Sequence, residues 1–207
     1  MKAIKQIFAQ GVWKDNPIYR QILGICSALA VTNLLTNSLV MGVGLMFVTG
    51  LSSFTVSVLR HHTPKHIRMM VQTLIISAYV IILDIFLKAY LPEMSKALGP
   101  YVGLIITNCI IMGRCEAYAQ HNPPHLAFFD GITMGLGYTV VLLFIAFFRE
   151  LLGFGTLFGI QILGESFTPW TLMIMPPGAF FMLGIVIWIA KNVFPVQEEN
   201  KGGPVNG

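Results

Sequence analysis

The stretch VGLIITNCIIMGRCEAYAQ, residues 102–120, is apolar enough to lie in a membrane, yet it carries two cysteines, an asparagine, an arginine and a glutamate. A third cysteine, Cys26, lies in a similarly mixed segment with Ser27, Thr32 and Asn33. Three cysteines are too few for a disulfide framework, and thiols facing a reducing cytoplasm rarely pair. Two uses remain open: filling small buried spaces, as free cysteine often does, or binding metal as thiolate.

Helix geometry narrows the second use. Cys109 and Cys115 are six residues apart, which places them about 120° apart around a helix axis and about 9 Å along it. They do not readily grip the same iron or zinc. Cys26 and Cys109, by contrast, occupy equivalent positions in two halves of the chain and would meet at a pseudo-twofold axis. Two thiolates leave a 2Fe-2S cluster half-liganded, since such clusters usually take four cysteines. A partner subunit would have to supply the others. Thr107 and Asn108 stand beside Cys109, where they would hydrogen-bond sulfur or exposed backbone.

Carboxylates are the other candidates, because an ionisable group within hydrocarbon is costly and marks function by default. Asp84 lies inside VIILDIFLKAY, and Asp130 opens FFDGITMGLGY near the cytoplasmic face. Carboxylate oxygen is a hard ligand suited to Na⁺, so the two would form an inner (Asp130) and an outer (Asp84) station of a sodium path. The competing readings are an i,i+4 pair of Asp84 with Lys88, and Asp130 as a helix cap. Arg114 and Glu116 read as an interfacial ion pair at the cytoplasmic end of their helix, and Arg149–Leu151 as an ion pair at the outer interface. His61, His62 and His66 cluster in RHHTPKHIR, but the flanking cations and proline favour a cytoplasmic loop touching anionic lipid or a neighbouring subunit over a metal site. No phosphate loop, Rossmann fingerprint or flavin motif occurs, which leaves NAD and flavin chemistry to other subunits.

The elements that must position these groups are membrane helices. With 55% hydrophobic and 11% charged residues and a mean hydropathy of +0.73, the 207-residue chain falls among integral membrane proteins. Its net charge of +4 does not gather into a nucleic-acid-binding patch. SALA, ending at Ala30, superficially resembles a signal-peptidase site, but the apolar run before it, Ile22 to Ile25, is too short. Six apolar segments are read, at about 20–37, 39–59, 69–91, 98–115, 127–148 and 171–194. With the N-terminus inside, ten basic residues face the cytoplasm and three (Lys88, Lys96, Arg149) do not, which places both termini in the cytoplasm.

The expected fold is therefore an all-α integral membrane protein of one transmembrane domain. Its six helices form two inverted three-helix repeats, at approximately 15–95 and 96–195, with a polar cytoplasmic tail at 196–207. Segments one and four are less apolar and more broken than the rest, and interrupted helices at matching places in inverted halves point to a site near the midplane. Each of them carries a cysteine.

DNPIYRQILGICSALAVTN (15–33), LKAYLPEMSKALGPYVGLIITNCIIMGRCEAYA (87–119), DGITMGLGY (130–138), FFRELLGFGTLFG (147–159) and PPGAFFMLG (176–184) resemble the D-subunit family of the sodium-translocating NADH:quinone oxidoreductases. The resemblance covers nearly the whole chain. It implies a six-helix membrane protein of the bacterial inner membrane, paired with a homologous E-type protein of opposite orientation within a six-subunit complex whose other members are of types A, B, C and F. It further implies a 2Fe-2S cluster shared by the pair, with ligands here at Cys26 and Cys109, while NAD, flavins and quinone belong to the wider complex. Cys115 departs from the family, which more often has alanine there, and receives no ligand role. The expected function is electron transfer through that cluster coupled to Na⁺ translocation. The alternatives are the E-type subunit of the ferredoxin:NAD oxidoreductase complex, a redox-free secondary transporter and a structural scaffold.

Overall fold

The computed structural model describes residues 16–18, 21–90, 92–157, 160–161 and 170–193. Lys2, Lys5, Lys14, Arg20 and the polar tail 196–207, on which part of the expected orientation rests, lie outside the described residues. The described chain is helical, with α1 Ile25–Val31, α2 Leu35–Leu59, a 3₁₀ turn Lys65–Ile67, α3 Arg68–Tyr90, α4 Pro92–Ile106, α5 Cys109–Arg114, a π-type segment Cys115–Ala119, α6 Pro124–Gly153, α7 Thr171–Ile174 and α8 Pro176–Val193. The all-α expectation needs one addition. Strands β1 Thr156–Leu157 and β2 Ile160–Gln161 pair antiparallel, with Thr156 opposite Gln161.

Four stretches among the described residues are long and apolar enough to cross a bilayer: Leu35–Leu59, Lys65–Tyr90, Gly99–Ala119 and Pro124–Gly153. They match the second to fifth expected segments. The first segment appears as the seven-residue α1 and the start of α2, separated by irregular backbone at Thr32 to Leu34. The fourth breaks at Thr107 and Asn108 and resumes at Cys109. The sixth is broken as well, at Met175 between α7 and α8.

The core is built on α2 against α6. Their contact is close because small residues face each other. A Cβ added at Gly135 would stand 2.6 Å from the Met46 Cα, and one at Gly131 would stand 2.8 Å from the Thr49 carbonyl oxygen. Gly42 on α2 likewise leaves room for the Thr139 side chain of α6. Lipid tails are as apolar as leucine, so helices in a membrane associate through such close packing rather than through the hydrophobic effect. Glycines 131 and 135 serve this close approach, whereas Gly137 presents its carbonyl to the Asn16 side-chain amide at 3.1 Å. Outward faces remain apolar, with Met70, Leu74, Ile85 and Phe86 of α3 and Phe181 and Trp188 of α8 exposed.

One end of the bundle gathers the basic loop 60–68 and the turn before α6. Ser57 Oγ and Arg60 Nη1 both donate to the Asn122 carbonyl, at 2.6 and 3.0 Å, and Arg68 pairs with Glu116 at 2.8 Å. Both connections therefore lie on the same side, as the alternating topology requires.

Gly135→Ala is expected to destabilise the solubilised protein by about 1–3 kcal/mol through overpacking against backbone that cannot yield. Gly184→Ala, whose Cβ meets nothing within 4 Å, is the comparison, and it should leave the thermal unfolding midpoint in place.

Candidate functional site

Two short helices begin beside each other. α1 starts after Gly24, whose φ of 76° is left-handed and whose added Cβ would lie 2.5 Å from Ile110 Cδ1 and 3.1 Å from Tyr138 Cε2. Glycine is required there on both counts. α5 starts after Asn108, whose side-chain oxygen accepts from the Ile110 amide at 3.0 Å, an N-cap in the usual geometry. The same side chain donates from Nδ2 to Ser27 Oγ at 3.2 Å, and Ser27 Oγ lies 2.6 Å from the Tyr138 hydroxyl. All three residues are buried, so one hydrogen-bonded chain joins the two helix starts to the middle of α6.

Cys26 is the residue before Ser27, and Cys109 the residue after Asn108. Both thiols are exposed. The structure thus brings the starts of two cysteine-bearing helices together and leaves both sulfurs open to the outside. Thr107 is exposed at the same break. Cys115 is different: it is fully buried, with its sulfur 3.9 Å from Ser52 Oγ on α2, which is a packing position.

Progress along α6 shows how the short helices are oriented. Asp130 meets Arg114, the last residue of α5, through Nη2–Oδ1 at 2.6 Å and Nε–Oδ2 at 3.0 Å. Tyr138 follows eight residues later, about 12 Å at the helical rise, and meets the starts of both short helices. Arg149 comes eleven residues after that, about 17 Å further on, and meets the end of α1. Its Nη1 donates to Thr32 Oγ1 at 2.6 Å, while Nε and Nη2 donate to the Met173 and Ile174 carbonyls, each at 3.2 Å. Glu150 Oε2 accepts from the Leu35 amide at 2.7 Å and so caps the first turn of α2. Therefore α1 runs with α6, α5 runs against it, and their N-terminal ends face each other near the middle of the α6 span.

Several sequence expectations change partners here. Arg114 and Glu116 do not pair with one another: Arg114 binds Asp130, and Glu116 accepts from Arg68 at 2.8 Å and Gln72 at 2.9 Å. The reason is their spacing: side chains two residues apart on a helix point to nearly opposite sides, so the two reach different helices. Arg149 and Glu150, expected as an ion pair at an outer interface, are 2% and 0% exposed and serve two helix breaks. Asp130 is not a helix cap, since α6 begins at Pro124 with Pro123 as its N-cap. Asp84 accepts from Lys88 Nζ at 2.6 Å, the i,i+4 pair that its spacing allows. His61, His62 and His66 are exposed, and among the described residues no three His, Cys, Asp or Glu side chains group closely enough to hold a metal. Sequence reasoning did not single out Tyr138, or the structural role of Ser27. Tyr138 ends the glycine-rich DGITMGLGY run, where a polar ring in an otherwise small and apolar stretch was the available signal.

A broken-helix membrane subunit with paired exposed thiols is the class these features define. The family model described as "Rnf-Nqr subunit, membrane protein" matches residues 4–187, and the chain belongs to that family. Proteins named as the D-type subunit of Na(+)-translocating NADH-quinone reductase are similar along nearly the whole length. That of Shewanella putrefaciens is 49% identical, and those of Shewanella oneidensis and Shewanella baltica are 48% identical; each alignment covers 97% of this chain and 98% of the relative.

Glu150→Ala removes the acceptor for the buried Leu35 amide and is expected to cost roughly 1–3 kcal/mol. Glu150→Gln keeps an oxygen at that place and should lose less. Thermal unfolding of the two variants side by side checks this.

Proposed function

We propose that this chain is the D-type membrane subunit of a sodium-translocating NADH:quinone oxidoreductase, and that with a homologous E-type subunit it holds a 2Fe-2S cluster. The observation that carries the reading is the pair of exposed thiols, Cys26 and Cys109, on helix starts tied together by Asn108 and Ser27. The donor set fits a shared cluster. Two thiolates open to the surface leave two ligand positions for a partner, whereas a complete cluster would need four thiolates from one chain. Names carried by relatives at 48–49% identity favour the quinone reductase over the ferredoxin-linked complex of the same family.

The cluster, when bound, would supply one-electron transfer on the way from NADH to a flavin and finally quinone, all of which react elsewhere in the complex. This chain's part is to hold the site. Asn108 caps α5 and fixes its distance from α1, and the buried Tyr138 hydroxyl keeps Ser27 in place. The opposed directions of α1 and α5 support two inverted repeats of three spans each in the bacterial inner membrane, with both termini cytoplasmic. Asp130 and Asp84 lie toward opposite ends of the bundle and serve as the inner and outer stations of a Na⁺ path. Binding energy for coupling comes from charge: an added electron near Cys26 and Cys109 favours one arrangement of the two helix breaks over another.

Electron paramagnetic resonance of the dithionite-reduced complex tests the assignment. Cys26→Ala and Cys109→Ala should each abolish a 2Fe-2S signal and lower the iron content, and Cys115→Ala should keep both. An iron signal unchanged in all three variants would make the thiols packing residues and return the chain to the redox-free transporter reading.

A further inference from the structure

We propose that the two exposed thiols are held unequally: Cys26 is the anchored member of the pair, and Cys109 is the adjustable member, placed through Ser27 of α1; this rests on the reading of both as cluster ligands. α1 is bonded to α6 near each of its ends. Close to its start, Ser27 Oγ lies 2.6 Å from the Tyr138 hydroxyl, and its C-cap Thr32 receives Arg149 Nη1 at 2.6 Å. The seven residues of α1 span about 10 Å as one rigid piece. Cys26, inside that piece, therefore keeps its place relative to α6.

The start of α5 is referred to α1 instead. Asn108 Nδ2 donates to Ser27 Oγ at 3.2 Å, and Ile110, fully buried, packs where a Cβ on Gly24 would meet its Cδ1 at 2.5 Å. Further along, Gly113 faces Leu23, whose Cδ1 would lie 3.4 Å from an added Cβ. α5 meets α6 at its far end, where Arg114 binds Asp130. That contact stands about 7.5 Å along the helix from Cys109, so it acts as a pivot and leaves the thiol end to be set by Ser27.

The proton inventory at Ser27 gives the order of dependence. A hydroxyl has one proton to give and two lone pairs to fill. Ser27 gives its proton to the Gly24 carbonyl at 3.0 Å, so the Tyr138 hydroxyl and Asn108 Nδ2 both donate to it. Tyr138 thus secures Ser27 whether or not Asn108 is bound. Loss of the Asn108 bond frees the start of α5 and leaves α1 clamped, whereas loss of the Tyr138 bond loosens Ser27 and with it both helix starts. The Asn108 contact is also the longer of the two, 3.2 against 2.6 Å. Ser27 is accordingly a positioning residue for Cys109, and the site adapts to a cluster and a partner through the start of α5, with Cys26 as the fixed reference.

The test reads backbone hydrogen exchange, peptide by peptide, in the assembled complex carrying Asn108→Ser or Tyr138→Phe. Serine keeps a helix-capping oxygen but is too short to carry a donor to Ser27. In Asn108→Ser, exchange over residues 109–114 should rise by about two- to ten-fold, the equilibrium weight of one hydrogen bond, while residues 25–31 stay at the wild-type rate. In Tyr138→Phe both segments should rise. The reduced 2Fe-2S resonance should broaden in Asn108→Ser, because one ligand then samples several positions. No rise over 109–114 in Asn108→Ser, an equal rise in both its segments, or a rise confined to 25–31 in Tyr138→Phe would overturn the proposal. Should either variant fail to assemble, the other decides by the same two segments. Iron unchanged in Cys26→Ala and Cys109→Ala defeats the cluster reading and leaves the unequal holding of the thiols standing, while symmetric exchange beside an intact cluster signal defeats only the unequal holding.

Discussion

A helix that stops inside a lipid layer leaves amide and carbonyl groups with no water to bond, and each such group costs several kcal/mol unless protein replaces the water. This chain stops helices before Cys109, after Val31 and after Ile174, and the rest of its architecture answers that constraint. Asn108 serves the first break from its own side chain. At the second, Ser38 donates to the Val31 and Leu34 carbonyls, Thr32 donates to Ala28, and Glu150 takes the Leu35 amide. The third is met by Arg149, which donates to the Met173 and Ile174 carbonyls. The burial of Ser38, Arg149 and Glu150 is thus explained by the backbone they relieve.

α6 is the strut on which these answers are mounted. It meets the end of α5 at Asp130, both helix starts at Tyr138 and the end of α1 at Arg149. Its closeness to α2, set by Gly131 and Gly135, holds those three stations at fixed depth. Small residues pack the strut, polar residues on it hold the breaks, and the breaks present the thiols. Packing and chemistry are thus joined through the same thirty-residue helix.

Membership of the Rnf-Nqr family agrees with this arrangement, and the arrangement gives the proposed electron and ion roles a common physical basis. The thiol at one end of α5 and the guanidinium at the other belong to one short rigid body.

Much of this was legible in the residues themselves. Apolar run lengths located four spans, and the mixed polarity of the first and fourth segments located their breaks, because an amphiphilic interruption in a lipid-facing run has no other stable use. The spacing of Cys109 and Cys115 already separated them on a helix, and Asp84 with Lys88 followed from the i,i+4 rule. Those are local properties, carried by period and composition. Tertiary structure alone decided which distant groups meet. Arg114 and Glu116 sit two residues apart and so face different sides of their helix, but only the packing decides that their partners are Asp130 and Arg68. Ser27 meets Tyr138 across 111 residues and Arg149 meets Thr32 across 117. No periodicity encodes such pairings, because they depend on how whole helices cross, and that is settled by the summed packing of the chain rather than by any one stretch of it.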